Sequence, residues 1–291
     1  MLSFTDQSSD ELGVIMSYSF LCGASDSNQN ENNNKESSKE LLSSSSNAPA
    51  VVEDKQEYVK ILTFGDSLTE GYHRCGFPFH PYSIELERSI DAKFSNANSQ
   101  REVLIHQFGL SGEFTDHMIP RLSNILEKAT SSSYPYRVVC VLAGTNDLSS
   151  DDNAEDIFSR LKELYTQVLA HGGDQGIILV TITLPQAAFL DDDYVERRAA
   201  INSKIKEYTS HHSSSSNSNS NSNSNDDSIK IKNHQQQVVC VDLEEGLPYF
   251  TPEGVKDTHH WDDALHMTPA GYDQFGRLVF SRLESHLESM V

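Results

Sequence analysis

The chain reads as an α/β protein built on a doubly wound sheet of about five parallel strands with helices on both faces. Three observations carry that reading. Apolar runs of strand length recur along the chain, apolar residues between them recur at helical spacing, and small or turn-forming residues stand where the runs end.

The first strand is Val59–Phe64, followed by a helix opening at Pro81–Leu86. Val103–His106 and Arg137–Ala143 supply the second and third strands. Ile157, Leu161, Leu164 and Val168 then share one face of a helix that ends at His171-Gly172-Gly173. Ile177–Val180 is apolar without alternation, as a parallel strand covered on both faces must be. A helix over Tyr194–Tyr208, a fifth strand at Val238–Val241 and a last helix from Pro269 to Leu287 complete the pattern. Thr268 as N-cap and Pro269 in the first turn mark the start of that last helix. Five such strands predict a flavodoxin-like sheet whose functional loops gather at its carboxyl edge.

Composition sets the boundaries. Ser, Asn, Gln and acidic residues dominate the start of the 291-residue chain, and Ser210–Asp227 is almost pure Ser and Asn. Such stretches bury too little apolar surface to offset the entropy of ordering. We therefore expect a disordered tail over 1–55 and one domain over 56–291, with a disordered insert at about 209–228. A net charge of −21 argues against nucleic acid or an anionic membrane as partner. The apolar patch Leu12–Met16 follows Asp6, Asp10 and Glu11, the wrong charge for a secretory signal, and no segment is long enough to span a bilayer. Cys22, Cys75, Cys140 and Cys240 are dispersed, which suggests reduced thiols and a cytoplasmic location.

Four short blocks stand where a strand or loop meets a helix. They are Gly65-Asp66-Ser67-Leu68, Phe108-Gly109-Leu110-Ser111-Gly112, Gly144-Thr145-Asn146-Asp147 and Asp263-Ala264-Leu265-His266. The first taken alone is also ordinary turn and capping chemistry. In this order, and with Ser67 as a hydroxyl at the end of the first strand, the set resembles the SGNH hydrolases, also called the GDSL esterase/lipase family. The resemblance spans Gly65 to His266. It implies Ser67 as nucleophile and His266 as base with Asp263 behind it. It also implies an oxyanion hole made of Ser67, Gly109 and Asn146. The fold it implies is the same doubly wound sheet. The activity it implies is hydrolysis of a carboxylic ester, a small, lipid or acetyl ester, through an acyl-serine and without cofactor.

The chemistry asks for these residue types. A serine hydroxyl attacks only when a neighbouring base takes its proton, and histidine suits that role near neutrality. A carboxylate on the second ring nitrogen fixes the tautomer, and fixed donors hold the negative oxygen of the tetrahedral intermediate.

Competing readings remain at this level. Asp257-Thr258-His259-His260 repeats the Asp-x-x-His spacing within the same loop, but the second pair directly precedes a helix that can anchor it. The His and Asp of this loop show no metal-ligand spacing. Asp66, if exposed, would instead suit a binding or signalling module. His73 and His80 read as solvent-facing, Cys75 as a plain thiol, and Phe77-Pro78-Phe79 as packing beneath the loop or lining a pocket.

Overall fold

The computed structural model describes residues 57–94, 101–130, 135–173, 176–214 and 237–291. The expected tail over 1–55, and the insert beyond Ser214, lie outside them. The strands are β1 (Glu57–Gly65), β2 (Arg101–Gly109), β3 (Tyr136–Leu142), β4 (Ile178–Ile182) and β5 (Gln237–Val241). The helices are α1 (Ser67–Glu70), α2 (Ser83–Phe94), α3 (Thr115–Thr130), α4 (Ala154–Gly172), α5 (Asp192–Ser214), α6 (Leu243–Gly246) and α7 (Pro269–Leu287). Short 3-10 turns cover Arg74–Gly76 and Asn146–Ser149.

All strand pairs are parallel, in the order β2-β1-β3-β4-β5. The central strand β3 carries Val138, Val139, Cys140, Val141 and Leu142, all fully buried, because helices cover both of its faces. On one side α2 packs on α7; α3, α4 and α5 form the second row. Leu161, Leu164 and Val168 turn one stripe of α4 into this core, and Asn153 caps the helix by accepting from the N–H groups of Glu155 and Asp156.

Chain order reverses direction across the sheet between β1 and β3, which opens a crevice at their carboxyl ends. The loops after β1, β2 and β3 meet there. Two boundaries differ most from the sequence reading. β2 continues through Phe108 and Gly109 because each pairs with a β1 residue, Phe64 and Gly65. α5 continues to Ser214, through the first residues of the expected insert; the Thr209 hydroxyl donates to the Ile205 carbonyl and pairs with Thr181.

Candidate active site

The turn after β1 is set by Asp66. Its backbone is extended, and its Oδ1 accepts from the Leu68 N–H at 2.9 Å, so it caps α1 and makes Ser67 the first helical residue. Ser67 is 5% exposed. Its own N–H belongs to the first turn, where backbone donors lack an intrahelical partner. Asp66 itself is fully buried, so the exposed carboxylate needed by the signalling alternative does not exist.

The loop before α7 brings the base. Ser67 Oγ lies 3.0 Å from His266 Nε2, and His266 Nδ1 lies 2.8 Å from Asp263 Oδ2, across 199 residues of sequence between Ser67 and His266. A carboxylate on Nδ1 makes that nitrogen the donor and leaves the Nε2 lone pair facing the hydroxyl. The second Asp263 oxygen accepts from the N–H groups of Leu265 and His266, at 2.8 and 2.6 Å. Partial burial works to raise the Asp263 carboxyl, but those backbone donors and the imidazole outweigh it and hold the group below its ordinary value.

The loop is anchored on several sides. Thr268 caps α7 through its hydroxyl, buried Trp261 donates to the Pro248 carbonyl at 3.0 Å, and the Tyr249 hydroxyl donates to the Asp263 carbonyl at 3.0 Å. The Ala188 N–H donates to the Ala264 carbonyl, so the loop after β4 braces the same turn. The Tyr72 ring lies 4.5 Å from the imidazole, centre to centre. Asp257 and His260 also form a pair, at 2.7 Å, but the imidazole that meets Ser67 belongs to His266.

Asn146 sits at the start of the 3-10 turn after β3. Its Nδ2 donates to the Glu113 carbonyl at 3.0 Å, which leaves the second hydrogen of the amide for another acceptor. Beside it, Asp147 is buried and accepts from the Thr115 N–H and hydroxyl and from Arg160 Nη2. Asp147 thus ties the starts of α3 and of the β3 loop to α4. Arg121 plays the matching part on β1 and β2. It pairs with Glu113, donates to the carbonyls of Phe108 and Gly65, and lies over the Phe64 ring. Sequence reading missed Glu113, Arg121 and Arg160, whose partners lie on other elements.

Gly109 and Gly112 differ in their surroundings. A Cβ on Gly109 would come within 2.2 Å of the Glu70 nitrogen, so this glycine lets α1 lie against β2. The Leu110 N–H bonds the Gly65 carbonyl, and strand alternation therefore turns the Gly109 N–H away from β1. Gly112 has φ +78° and open space around it, in the loop whose Glu113 carbonyl holds Asn146.

The remaining residues singled out in the sequence sit as follows. His73 is buried, with Nδ1 3.2 Å from the Gly71 carbonyl, and His80 pairs with Asp273 at 2.7 Å, so neither simply faces solvent. Phe77 and Phe79 are 85% and 45% exposed, which overturns packing beneath the loop. Cys75, Cys140 and Cys240 are free thiols; Cys140 is fully buried, and burial pushes its thiol far up.

A hydroxyl, imidazole and carboxylate in hydrogen-bonded line is an arrangement that serine hydrolases of several folds share, and with the family profile it defines the class here as an α/β ester hydrolase. The profile of the GDSL-like Lipase/Acylhydrolase family matches residues 63–274, and the chain belongs to that family. Comparison with curated proteins finds no match. Among solved structures, the chain is similar to a member of the lipolytic protein G-D-S-L family from Veillonella parvula, at 18% identity and a TM-score of 0.53, covering 77% of this chain and 97% of that one. The lipase/acylhydrolase from Enterococcus faecalis matches at 18% identity and 0.52, covering 78% and 96%. A carbohydrate esterase family 3 protein from Talaromyces cellulolyticus matches at 15% identity and 0.52, covering 79% and 99%. At these identities the likeness is one of fold.

Proposed function

We propose that this chain hydrolyses a small-molecule carboxylic ester through a transient acyl-serine on Ser67. The observation that carries the reading is the line Ser67–His266–Asp263, with bonds of 3.0 and 2.8 Å. His266 Nε2 takes the hydroxyl proton as Oγ attacks the carbonyl carbon, and Asp263 stabilises the imidazolium that forms. The proton then passes to the leaving alkoxide. Water, activated by the same imidazole, releases the acid and restores the serine.

The negative oxygen of each tetrahedral intermediate needs donors. Ser67 N–H at the start of α1 and the free hydrogen of the Asn146 amide are two. For the third, the surroundings favour the Gly112 N–H over that of Gly109, which packs against α1 and faces away from β1. The apolar side chains at this edge favour an ester with a hydrophobic acyl or alcohol part. Phe79 packs edge-on against Tyr72, while Leu110, Phe189 and Leu190 stand exposed on the loops after β2 and β4. The free thiols of Cys75, Cys140 and Cys240, the cysteines among the described residues, are in keeping with a reducing, cytoplasmic setting.

Hydrolysis of p-nitrophenyl esters of increasing acyl length by wild type and Ser67→Ala tests the reading. We expect turnover in the wild type alone. Equal rates in both would remove Ser67 from the mechanism.

A further inference from the structure

Asp66 is a buried carboxyl for which the reaction above has no use. It stands one residue before the nucleophile and is fully buried. Its Oδ1 accepts from Leu68, but its Oδ2, and the nearby Thr145 hydroxyl, have no hydrogen-bond partner among the described residues. We infer that Asp66 is a positioning residue that works as a neutral acid, its proton on Oδ2 facing Thr145, and that the site loses activity when this proton leaves. This inference rests on the hydrolase reading above.

Charge balance around the site leads to that state. Three carboxyls cluster behind the nucleophile: Asp66, Asp147 on the β3 loop and Glu113 on the β2 loop. Two guanidiniums face them, and both are taken. Arg121 pairs with Glu113, and Arg160 with Asp147 and the more exposed Asp152. The other groups near Asp66 bring no cation. They are the Thr145 hydroxyl and the phenols of Tyr82 before α2, Tyr194 on α5 and Tyr272 on α7, which burial keeps protonated. A third negative charge here would be fully buried with no counterion of its own among the described residues.

Protonation answers both problems. It removes the charge, and it makes Oδ2 the donor toward the Thr145 oxygen, where an ionised carboxylate would accept from that hydroxyl instead. Burial is the main cause that raises the Asp66 carboxyl, to about 7; the Leu68 N–H and the Thr145 hydroxyl work against it, and the charges of Asp147 and Glu113 add to it. Ionisation, with the proton passing to solvent, places a negative charge next to the residue where the intermediate also becomes negative. That arrangement opposes the oxyanion.

Asparagine imitates the neutral acid, since it caps a helix as well as aspartate and keeps a donor group beside an acceptor oxygen without charge. The test is the pH profile of kcat for wild type and Asp66→Asn with a p-nitrophenyl ester, beside the rate at which a phosphonate labels Ser67. Wild-type activity should fall about tenfold per pH unit once Asp66 ionises. Asp66→Asn should lack that fall. Superimposable alkaline limbs, or an Asn variant that is weaker at every pH, would overturn the inference.

Thermal unfolding adds a readout independent of activity. The unfolded chain ionises Asp66 near 3.8 while the folded chain holds the proton to about 7, so wild type should lose stability relative to Asp66→Asn as pH rises between those values. A difference independent of pH would count against the proposal. Should the variant fail to fold, carboxyl NMR of carbon-13 aspartate-labelled wild type decides: one aspartate keeping its proton at neutral pH supports it, and none overturns it. Absence of labelling at Ser67 with the unfolding result intact would sink the hydrolase reading and leave the protonated Asp66 standing.

Discussion

One loop holds two Asp-x-x-His pairs with nearly the same bond, 2.7 Å between Asp257 and His260 and 2.8 Å between Asp263 and His266. Only the second brings its other ring nitrogen to Ser67. The spacing is therefore a local device that orients an imidazole, and what the loop does with that imidazole is decided by where α7 begins. Thr268 and Pro269 start the helix directly after the second pair, so His266 is fixed next to a rigid element over the carboxyl end of β1. The first pair serves the frame instead: the His260 carbonyl accepts from the Thr268 N–H.

Substitutions can break this contrast. Ser67→Ala or His266→Ala should each lower kcat by roughly 10⁴- to 10⁶-fold. His260→Ala should change it only a few-fold, as steady-state kinetics will show; a larger loss at His260 would make the two pairs functionally alike. Asp263→Asn should cost up to about 10⁴-fold by leaving the wrong tautomer facing Ser67, whereas Asp257→Asn should leave kcat almost unchanged. Asn146→Ala should cost about 10²- to 10³-fold in kcat with little change in KM, since its free hydrogen meets charge only in the transition state.

The smallest effect concerns acid stability. His260 chiefly lowers the Asp257 carboxyl, while backbone donors and His266 lower that of Asp263 against the burial that opposes them. A depressed carboxyl contributes stability above its unfolded value, near 3.8, and that contribution is lost as pH falls through the folded-state value. Asp257→Asn and Asp263→Asn should each weaken the acid dependence of thermal unfolding to a similar small extent. A marked difference between them would show that burial, and not the shared imidazole bond, governs one of the two.

What could be read from the sequence follows from which interactions are local. The strands were legible because a parallel strand covered on both faces is a continuous apolar run, as in Arg137–Ala143. α3 was legible but passed over: Met118, Leu122 and Leu126 recur at helical spacing and form its buried stripe, and Pro120 inside it obscured the pattern. The extension of α5 to Ser214 was hidden because serine favours no element, and contacts to β4 and β5 decide its state there. Ser67, Asn146 and His266 stood out as polar residues in turns that follow strands or precede a helix. Arg121 and Arg160 did not, because a charged residue on a helix looks like a solvated face until folding brings its partner from another element. Gly109 shows the same limit, since its packing against α1 depends on a neighbour 39 residues away in the chain.

The most direct measurement is mass spectrometry of the wild type, His260→Ala and His266→Ala after brief exposure to a fluorophosphonate. One adduct on Ser67 is expected, formed rapidly in wild type and His260→Ala and slowly in His266→Ala. An adduct on another residue, or slow labelling in His260→Ala with fast labelling in His266→Ala, would contradict it.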